Sequence, residues 1–381
     1  MRKKIFTTLG LMSGTSMDGV DLSLIKSDGY NHIELIYDEY CEFNDDLYQE
    51  LILLREQLEN KEDLEINSLK INELEKKFTL FNAQIVNELI KKVGIKPDLI
   101  GFHGQTIFHR INFKISKQIG DANLLSQLTK CNVVNKFRQN DLNNNGQGAP
   151  LTPIFHYLIS KEIKKKFNVK FPINIVNIGG ITNVTTIKNN SDINNDISAY
   201  DIAPGNCLID EWLRKTSRIK FDKNGDIASS GIVDKLVFNQ ATDNFEISSI
   251  LESLDVKNFD ISFVKGLSVE NGCATLTEFT AYLIFEGLKK IDKIEKIQTR
   301  NIILCGGGRK NKSLVKGINK FINSNQIKVK KIDEFEINGD FVESQAFAYL
   351  AIRSLLNLPI SFPKTTRCIS ACSGGELTKN F

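Results

Sequence analysis

The sequence predicts an α/β protein made of two domains. Its 381 residues exceed the size at which one hydrophobic core usually stops growing. One local pattern, a short apolar strand followed by a glycine turn and a second strand, opens both halves of the chain, at residues 5–26 and 173–187. Segments with helical periodicity follow each pair of strands. We therefore expect residues 1–168 together with 342–381 to form domain I, and residues 169–341 to form domain II.

The order of the predicted elements follows from hydrophobic period and turn chemistry. Apolar residues recur at three- and four-residue steps between residues 45 and 93, which indicates helix, whereas short apolar runs that stop at glycine indicate buried strands. The predicted strands are 5–11, 20–26, 99–102, 174–178, 184–187 and 301–304, and the predicted helices are 45–93, 150–167, 273–288 and 342–356. Two asparagine-rich stretches, residues 140–145 and 189–195, are predicted as surface loops.

Composition excludes several classes of protein. The chain has 49 basic and 46 acidic residues, a net charge of +3, so it carries no basic footprint for nucleic acid or for an anionic membrane surface. The apolar stretch after the basic N-terminal residues is too short for a signal peptide or a membrane span. The seven cysteines form neither a CxxC pair nor a zinc ladder, which favours reduced thiols and a cytoplasmic protein.

The strongest local signal is the sequence GTSMDGVD at residues 14–21. Glycine allows the backbone to approach a phosphate closely, and the hydroxyls of Thr15 and Ser16 can donate hydrogen bonds to its oxygens. Asp18 or Asp21 could hold a magnesium ion that neutralises the phosphates. No lysine follows the glycines, so the motif is not a Walker A loop. A tight hairpin turn without a ligand would use the same residues.

Two further glycine turns lie in the second half. NIGGITN at residues 177–183 repeats the chemistry of the first turn, and Gly306, Gly307 and Gly308 follow a strand and precede a helix whose N-terminus favours phosphate. The spacing of these last glycines differs from the dinucleotide-binding fingerprint. Each turn alone has a purely structural alternative, but two facing turns could hold one polyphosphate.

Acidic residues supply candidates for proton transfer. Asp201 precedes a proline and a glycine that would fix its geometry, and Asp141 precedes the sequence GQGAP; either could act as a general base. An N-cap or turn role is the alternative for both. Glu343 starts a predicted helix, where it would also stabilise the helix dipole. His103 and His109 are predicted to be hydrogen-bonded structural groups rather than zinc ligands, since no third ligand is near them in sequence.

Taken together, the motifs resemble those of the anhydro-N-acetylmuramic acid kinases. The resemblance extends from residue 10 to about residue 352 and includes six motifs in one fixed order: residues 14–21, 104–106, 146–150, 177–180, 204–206 and 305–308. It implies a two-domain fold of the actin, hexokinase and heat-shock chaperone type, with ATP bound in a cleft between the domains.

The resemblance also implies a reaction. Water opens the anhydro bridge of 1,6-anhydro-N-acetylmuramic acid at the anomeric carbon, ATP phosphorylates the freed sixth oxygen, and N-acetylmuramate 6-phosphate and ADP leave, as part of peptidoglycan turnover. The phosphoryl group replaces the acid of an inverting glycosidase, so one carboxylate base is enough. The matching catalytic residues are Asp201, as base, and Glu343, holding the water or the sugar.

Ligand contacts follow from the glycine turns and acids described above, taken together with the resemblance. Gln105, Arg138 and Asp141 would contact the amino sugar, and Asp18 and Asp21 would hold Mg²⁺. The residues that would bind ATP are Gly14, Thr15, Ser16, Met17, Asp18, Gly19, Val20, Asp21, Gly179, Gly180, Gly306, Gly307 and Gly308. The resemblance implies a homodimer as well.

Three positions depart from the family pattern. Asn145 and Ala203 replace glycines, and residues 253–260, SLDVKNFD, replace a sequence that usually contains STGRE. Two other functions remain open on the same sequence. One is a kinase of another sugar or of a small acid, and the other is an actin-like or chaperone-like nucleotide switch.

Overall fold

The computed structural model describes residues 3–14, 16–189, 191–245, 254, 259–324 and 326–380. Thr15, and most of the 253–260 segment, therefore lie outside the described residues. The chain divides into two compact units, one comprising Met1–Ile159 and Phe341–Phe381, the other Ser160–Asp340. The predicted second domain comprises residues 169–341, so the two divisions differ in where they assign residues 160–168 and residue 341.

The predicted α/β composition is confirmed. The strands are β1 (Phe6–Ser13), β2 (Gly19–Ser27), β3 (Ile33–Glu42), β4 (Leu99–Arg110), β5 (Ile115–Ile119), β6 (Asn132–Asn135), β7 (Ile173–Ile178), β8 (Ile181–Ile187), β9 (Ile197–Pro204), β10 (Asn301–Cys305), β11 (Lys328–Lys331) and β12 (Glu376–Thr378). The helices are α1 (Asp45–Glu56), α2 (Glu62–Ile66), α3 (Ser68–Val93), α4 (Ala122–Thr129), α5 (Gln139–Asn143), α6 (Pro153–Phe167), α7 (Ile193–Asp196), α8 (Cys207–Thr216), α9 (Asp226–Ser230), α10 (Lys235–Asn244), α11 (Val269–Glu295), α12 (Lys312–Ile322), α13 (Val342–Leu355) and α14 (Pro363–Thr366).

Each unit contains the same five-stranded arrangement. The first has the order β6-β4-β1-β2-β3, extended by β12 beyond β6 and by β5 on β4, and the second has the order β11-β10-β7-β8-β9. In both, the first three strands are parallel, and the last two join by antiparallel pairing. The strand, turn and strand repeated in the sequence is thus the centre of a repeated sheet. Each repeat places its glycine turn at the end of the central strand.

Helix α13 packs unusually closely against the sheet of the first unit. Gly10 of β1 and Gly101 of β4 pair with each other across the two strands. A Cβ atom on Gly10 would lie 1.9 Å from the carbonyl oxygen of Ser344, and one on Gly101 would lie 2.2 Å from the carbonyl oxygen of Phe347. The glycine pair is therefore what allows this helix, and Glu343 in its first turn, to sit directly on the strands.

Separate apolar clusters stabilise the two units. In the first, helix α3 buries the predicted stripe, including Ile71, Leu74 and Phe78, against β1, β2 and β4 residues such as Leu9 and Leu22. In the second, helix α11 buries apolar residues that belong to one cluster with those of β9 and β10. Such burial contributes about 25 cal/mol per Å² of apolar surface.

Four of the predicted elements were wrong in detail. The predicted loop at residues 189–195 runs into helix α7, which begins at Ile193. Residues 45–93 form three helices rather than one. The side chain of Asp63 accepts hydrogen bonds from the backbone N–H groups of Glu59 and Asn60 and turns the chain between α1 and α2, and the side-chain amide of Asn67 donates to the carbonyl oxygen of Asp63 where α2 ends. Residues 139–143 form helix α5 rather than a surface loop, with Leu142 and Asp141 buried. Helix α6 begins at Pro153 instead of residue 150.

Candidate active site

The first glycine turn connects β1 to β2 and is anchored from below. Met17 has a positive φ of 57° and a side chain that is fully buried, so it fixes the turn to the core. Ser16 and Asp18 on either side of it are exposed, and the Ser16 hydroxyl donates to Asp18 Oδ1 at 2.6 Å. The turn therefore presents a hydroxyl and a carboxylate to solvent. Val20 is buried on β2, so it could contact a nucleotide only through its backbone.

Gln105 lies beneath this turn. Its amide nitrogen donates to the carbonyl oxygen of Gly14 at 3.0 Å, and its Oε1 lies 2.5 Å from the hydroxyl of Ser13. That hydroxyl also lies 2.8 Å from the carbonyl oxygen of Gly19, at the other end of the turn. Gln105 is 1% exposed. The structure thus gives it the role of bracing the turn, and its contact with a sugar stays a prediction.

Acidic groups gather where β2 leaves the turn. Asp21 is half-buried and lies opposite Tyr40 of β3. Burial, and then the carboxylates of Asp18, Glu42 and Asp21, raise the pKa of the Tyr40 hydroxyl. These carboxylates create a negative electrostatic potential, which would attract a cation. Both predicted metal ligands, Asp18 and Asp21, contribute to it.

Arg138 is fixed by two neighbours in the same unit. Its Nε and Nη2 lie 3.1 and 2.9 Å from His103 Nε2, and Nη1 donates to the carbonyl oxygen of Gly148 at 2.8 Å. Burial lowers the pKa of the guanidinium, and the negative charges of Glu343 and Asp141 act in the opposite direction. The structure therefore brings Arg138 into electrostatic reach of both predicted acids of this unit.

Asp141 is buried and bound within the protein. Its Oδ2 accepts a hydrogen bond from the N–H of Gly148 at 2.7 Å, and its Oδ1 accepts one from the hydroxyl of Thr366 at 2.6 Å. A Cβ atom on Gly146 would lie 2.2 Å from the same carboxylate. Asp141 thus holds the GQGAP loop in place, and its contact with a sugar stays a prediction.

The two histidines behave as predicted. His103 Nδ1 lies 2.7 Å from the carbonyl oxygen of Gly104, and His109 Nδ1 lies 2.9 Å from the hydroxyl of Ser116. Burial, assisted by Arg138, lowers the pKa of His103 well below its usual range and that of His109 to about 4. Both are hydrogen-bonded groups that stay neutral at pH 7.

In the second unit, Asp201 lies on β9 next to an irregularity of the strand. Asn183 of β8 pairs with Asp201 and Thr182 with Ala203, so Ile202 is an extra residue that bulges. Bulges re-aim side chains and occur often beside active sites. Asp201 is half-buried, and its Oδ2 accepts a hydrogen bond from the N–H of Leu254 at 3.0 Å.

The glycine turns of this unit contact the PGN motif at residues 204–206. The N–H groups of Gly205 and Asn206 donate to the carbonyl oxygens of Gly180 and Gly179, each at 2.8 Å. The side-chain nitrogen of Asn206, Nδ2, also lies 3.9 Å from the place where a Cβ atom on Gly307 would be. Motifs that are far apart in sequence thus form one surface, on which Gly180 and Gly307 are exposed.

Gly306 to Gly308 lead into a 3₁₀ turn, not directly into a helix, and α12 begins only at Lys312 behind an Asn311 cap. The side chain that holds this turn was not among the sequence predictions. Arg309 is 3% exposed and donates to both carboxylate oxygens of Asp333 at 2.7 and 2.8 Å and to Asp340 at 2.8 Å. A basic residue directly after a glycine run was the available signal.

Among the residues that the structure describes, no helix is both long and apolar enough to cross a membrane. The family model for anhydro-N-acetylmuramic acid kinase matches residues 6–380. A protein of that name from Pelagibacter ubique is 50% identical over 381 residues, the whole of both chains. One from Zymomonas mobilis is 36% identical over 378 residues, 97% of this chain and 98% of that one.

Among solved structures, a ROK family glucokinase from Streptomyces griseus in complex with glucose and AMPPNP is 11% identical, with a TM-score of 0.43, and the match covers 91% of this chain and 99% of that chain. The α/β class expected from the resemblance agrees with the repeated sheet. Since the family model matches residues 6–380, nearly the whole chain, the chain belongs to the anhydro-N-acetylmuramic acid kinase family.

Proposed function

We propose that the chain is an ATP-dependent kinase that opens 1,6-anhydro-N-acetylmuramic acid with water and releases N-acetylmuramate 6-phosphate and ADP. The observation that carries the proposal is Asp201, a carboxylate set beside a strand bulge in a chain that matches the family over residues 6–380. The reaction would serve cell-wall recycling. A cytoplasmic location and a homodimer belong to the proposal and rest on the resemblance alone.

Asp201 would act as the general base. Its carboxylate takes a proton from water, the water oxygen bonds to the anomeric carbon, and the bond from that carbon to the sixth oxygen breaks. The sixth oxygen takes the γ-phosphoryl group of ATP, and ADP leaves. A positioned base contributes about 10²- to 10⁴-fold to rate. The hydrogen bond from Leu254 restrains the carboxylate, which favours a defined direction for proton transfer.

Arg138 would bind the negative carboxylate of the muramic acid side chain. A guanidinium has five N–H donors in a planar fork that suits carboxylates. Three of the five have partners among the described residues, namely His103 twice and Gly148, which leaves two for a ligand. Glu343, whose negative charge acts on Arg138, would hold the water or a sugar hydroxyl.

The glycine turns would bind ATP through backbone N–H groups, and Mg²⁺ would be held by Asp18 and Asp21. Hard carboxylate oxygens are ligands that Mg²⁺ prefers, and the two acids already lie in one negative field. A magnesium ion bound there supplies neutralisation of phosphate charge. Ser16, Gly180 and Gly307 are exposed, so a nucleotide can reach each of them.

The deciding experiment supplies the purified chain with the anhydro sugar, ATP, Mg²⁺ and water labelled with ¹⁸O. We expect ADP release that depends on the sugar, and a 6-phosphate product with one ¹⁸O at the anomeric position. A phosphorylated product without the label would instead identify a kinase that acts on an existing hydroxyl. ATP hydrolysis that ignores sugars and responds to protein partners would identify a nucleotide switch and overturn the proposal.

A further inference from the structure

Two cysteines near the C-terminus meet a carboxylate from the middle of the chain. Cys368 and Cys372 follow helix α14, and Asp141 belongs to α5. One ligand atom from each, the two Sγ atoms and a carboxylate oxygen, lies within 4.8 Å of the other two. All seven cysteines of the chain carry free thiols. The sequence predicted reduced thiols at both positions, because the cysteines form neither a CxxC pair nor a zinc ladder.

The surroundings of the group are those of a metal-binding carboxylate. Asp141 is 1% exposed, and the partners described above, the N–H of Gly148 and the hydroxyl of Thr366, are both neutral. A carboxylate has about four lone-pair sites, so two remain for another ligand. Carboxylates that bind metals are themselves hydrogen-bonded by outer groups of this kind, which fix their orientation.

A fourth polar group lies at the same place. Ser361 and Cys372 form an isolated antiparallel bridge, which sets their side chains next to each other. The Ser361 hydroxyl is fully buried and interacts with the Cys372 thiol, a weak hydrogen-bonding group. It forms no conventional hydrogen bond among the residues that the structure describes, and a buried hydroxyl of this kind calls for an explanation such as an unseen water or ion.

We propose that Cys368, Cys372 and Asp141 bind one thiophilic divalent cation, with Zn²⁺ as the best match. Two thiolates and one carboxylate are a donor set that suits zinc, whereas Mg²⁺ and Ca²⁺ prefer oxygen ligands throughout. Tetrahedral zinc at its normal bond lengths holds such atoms about 3.5 to 3.8 Å apart, and the three ligand atoms here all lie within 4.8 Å of one another. Water takes the fourth position, where the Ser361 hydroxyl can bind it.

The bound cation would tie the C-terminal segment to α5. That segment is already attached to the helix, because the side-chain amides of Asn140 and Asn144 donate to the carbonyl oxygens of Ser373 at 2.5 Å and Ser370 at 2.7 Å. Binding replaces the two thiol protons, which are released to solvent. The site is structural, and it stands independently of the proposed reaction.

The test uses the full chain, reduced with a phosphine and stripped with a chelator. Titration with Co²⁺ should give sulfur-to-cobalt charge-transfer absorption that saturates at one ion per chain, and Zn²⁺ should displace the cobalt, release about two protons per ion and raise the melting temperature. Cys372→Ser should weaken Zn²⁺ binding by more than roughly 100-fold, beyond the effect expected from loss of an outer-shell partner. Cys41→Ser, which removes another half-buried thiol, should leave binding unchanged.

Several results would overturn the proposal. They are cobalt absorption that Cys372→Ser and Cys368→Ser both leave unchanged, no saturable binding at all, or a disulfide formed between the two cysteines by oxidised glutathione in a chain that binds no metal when reduced. Cys372→Ala provides a second variant if the serine variant misfolds. The metal-free melting temperature of each variant separates loss of folding from loss of the site.

Discussion

Two nitrogens of the Arg138 guanidinium converge on a single ring nitrogen of His103, with Nε at 3.1 Å and Nη2 at 2.9 Å from His103 Nε2. The shared nitrogen must accept, so the proton of the neutral ring is on Nδ1, where it donates to the carbonyl oxygen of Gly104. The low pKa of His103 keeps the ring in this form at pH 7. His103 is therefore a fixed acceptor that orients Arg138.

Removal of this acceptor should impair sugar recognition. A hydrogen bond to a charged group is worth about 1.5 to 3 kcal/mol, so His103→Ala should lower kcat/KM for the anhydro sugar by about 10- to 100-fold. The KM for ATP should change little, since Arg138 is proposed to bind the sugar. Steady-state kinetics with each substrate varied in turn measures the difference.

His103→Asn is the matched variant, because the side-chain oxygen of asparagine can accept a hydrogen bond from the Arg138 guanidinium. It should recover part of the lost kcat/KM. Equal values for the alanine variant and the wild type would show that Arg138 does not depend on His103 for its position.

The repeated sheet could be predicted because its signals are local. A short apolar run that ends at Gly14 or at Gly179 needs no information from elsewhere in the chain. Four strands of the two five-stranded arrangements, β3, β6, β9 and β11, were missed. Strand β3 is half-buried along most of its length and lacks a continuous apolar run, and β9 was treated as the motif around Asp201 instead of as a strand.

The contacts that hold the candidate site could not be predicted, because they join residues remote in sequence. Thr366 and Asp141 are separated by 225 residues, and yet the hydroxyl of Thr366 lies 2.6 Å from Oδ1 of Asp141. Gln105 was singled out from its motif, but its place beneath the turn depends on how β4 pairs with β1. A motif shows which residue types are present, whereas the sheet register decides what each one touches.

Asp201→Asn should lower kcat by about 10²- to 10⁴-fold, because the amide cannot take the proton of the attacking water. ATP affinity should be nearly unchanged, since the carboxylate is assigned to water and not to the nucleotide. Equilibrium titration with a fluorescent ATP analogue and ADP-release kinetics measure the two quantities. Asp192→Asn, which keeps a side-chain oxygen to cap α7, serves as the control and should retain full turnover. Undiminished turnover in the Asp201 variant would remove the base assignment.

Asp141→Asn should destabilise the first unit by about 1.5 to 3 kcal/mol, since it removes charge-assisted hydrogen bonds from Gly148 and Thr366. Thr366→Val removes one partner while keeping the shape of the side chain. The two changes should be non-additive by at least roughly 0.5 kcal/mol, because they share one hydrogen bond. Urea unfolding of the single and double variants, in the presence of a chelator, completes the cycle. Strict additivity would show that the bond contributes nothing to stability.

Gly10→Ala tests the close approach of α13 to the sheet. The new methyl would lie 1.9 Å from the carbonyl oxygen of Ser344, so the helix has to move. Overpacking of this kind costs about 1 to 3 kcal/mol and should also displace Glu343, with a loss of activity. Gly180→Ala is the control for stability, since a Cβ there meets no atom within 4 Å. An unchanged urea midpoint for Gly10→Ala would contradict the packing described here.

Acid should destabilise the chain through three histidines, of which His103 and His156 are buried and His109 is half-buried. Burial lowers the pKa of His156 to about 3, that of His109 to about 4, and that of His103 well below its usual range. In the unfolded chain a histidine titrates near 6.5, so between that pH and about 4 the unfolded state binds more protons than the folded state. The contribution of these groups is therefore fully present above pH 6.5 and is lost as the pH falls.

The size of this effect can be measured. Each histidine contributes a slope of up to about 1.4 kcal/mol per pH unit, so three together give at most about 4 kcal/mol per unit. Urea unfolding between pH 8 and pH 5 should show a plateau and then a fall in the free energy of unfolding. His156→Gln should reduce the slope by up to about 1.4 kcal/mol per pH unit, while His32→Gln, which replaces an exposed histidine, is the matched control. A free energy of unfolding that stays constant down to pH 5 would mean that the buried rings take up protons in the folded state, which their enclosure in the core opposes.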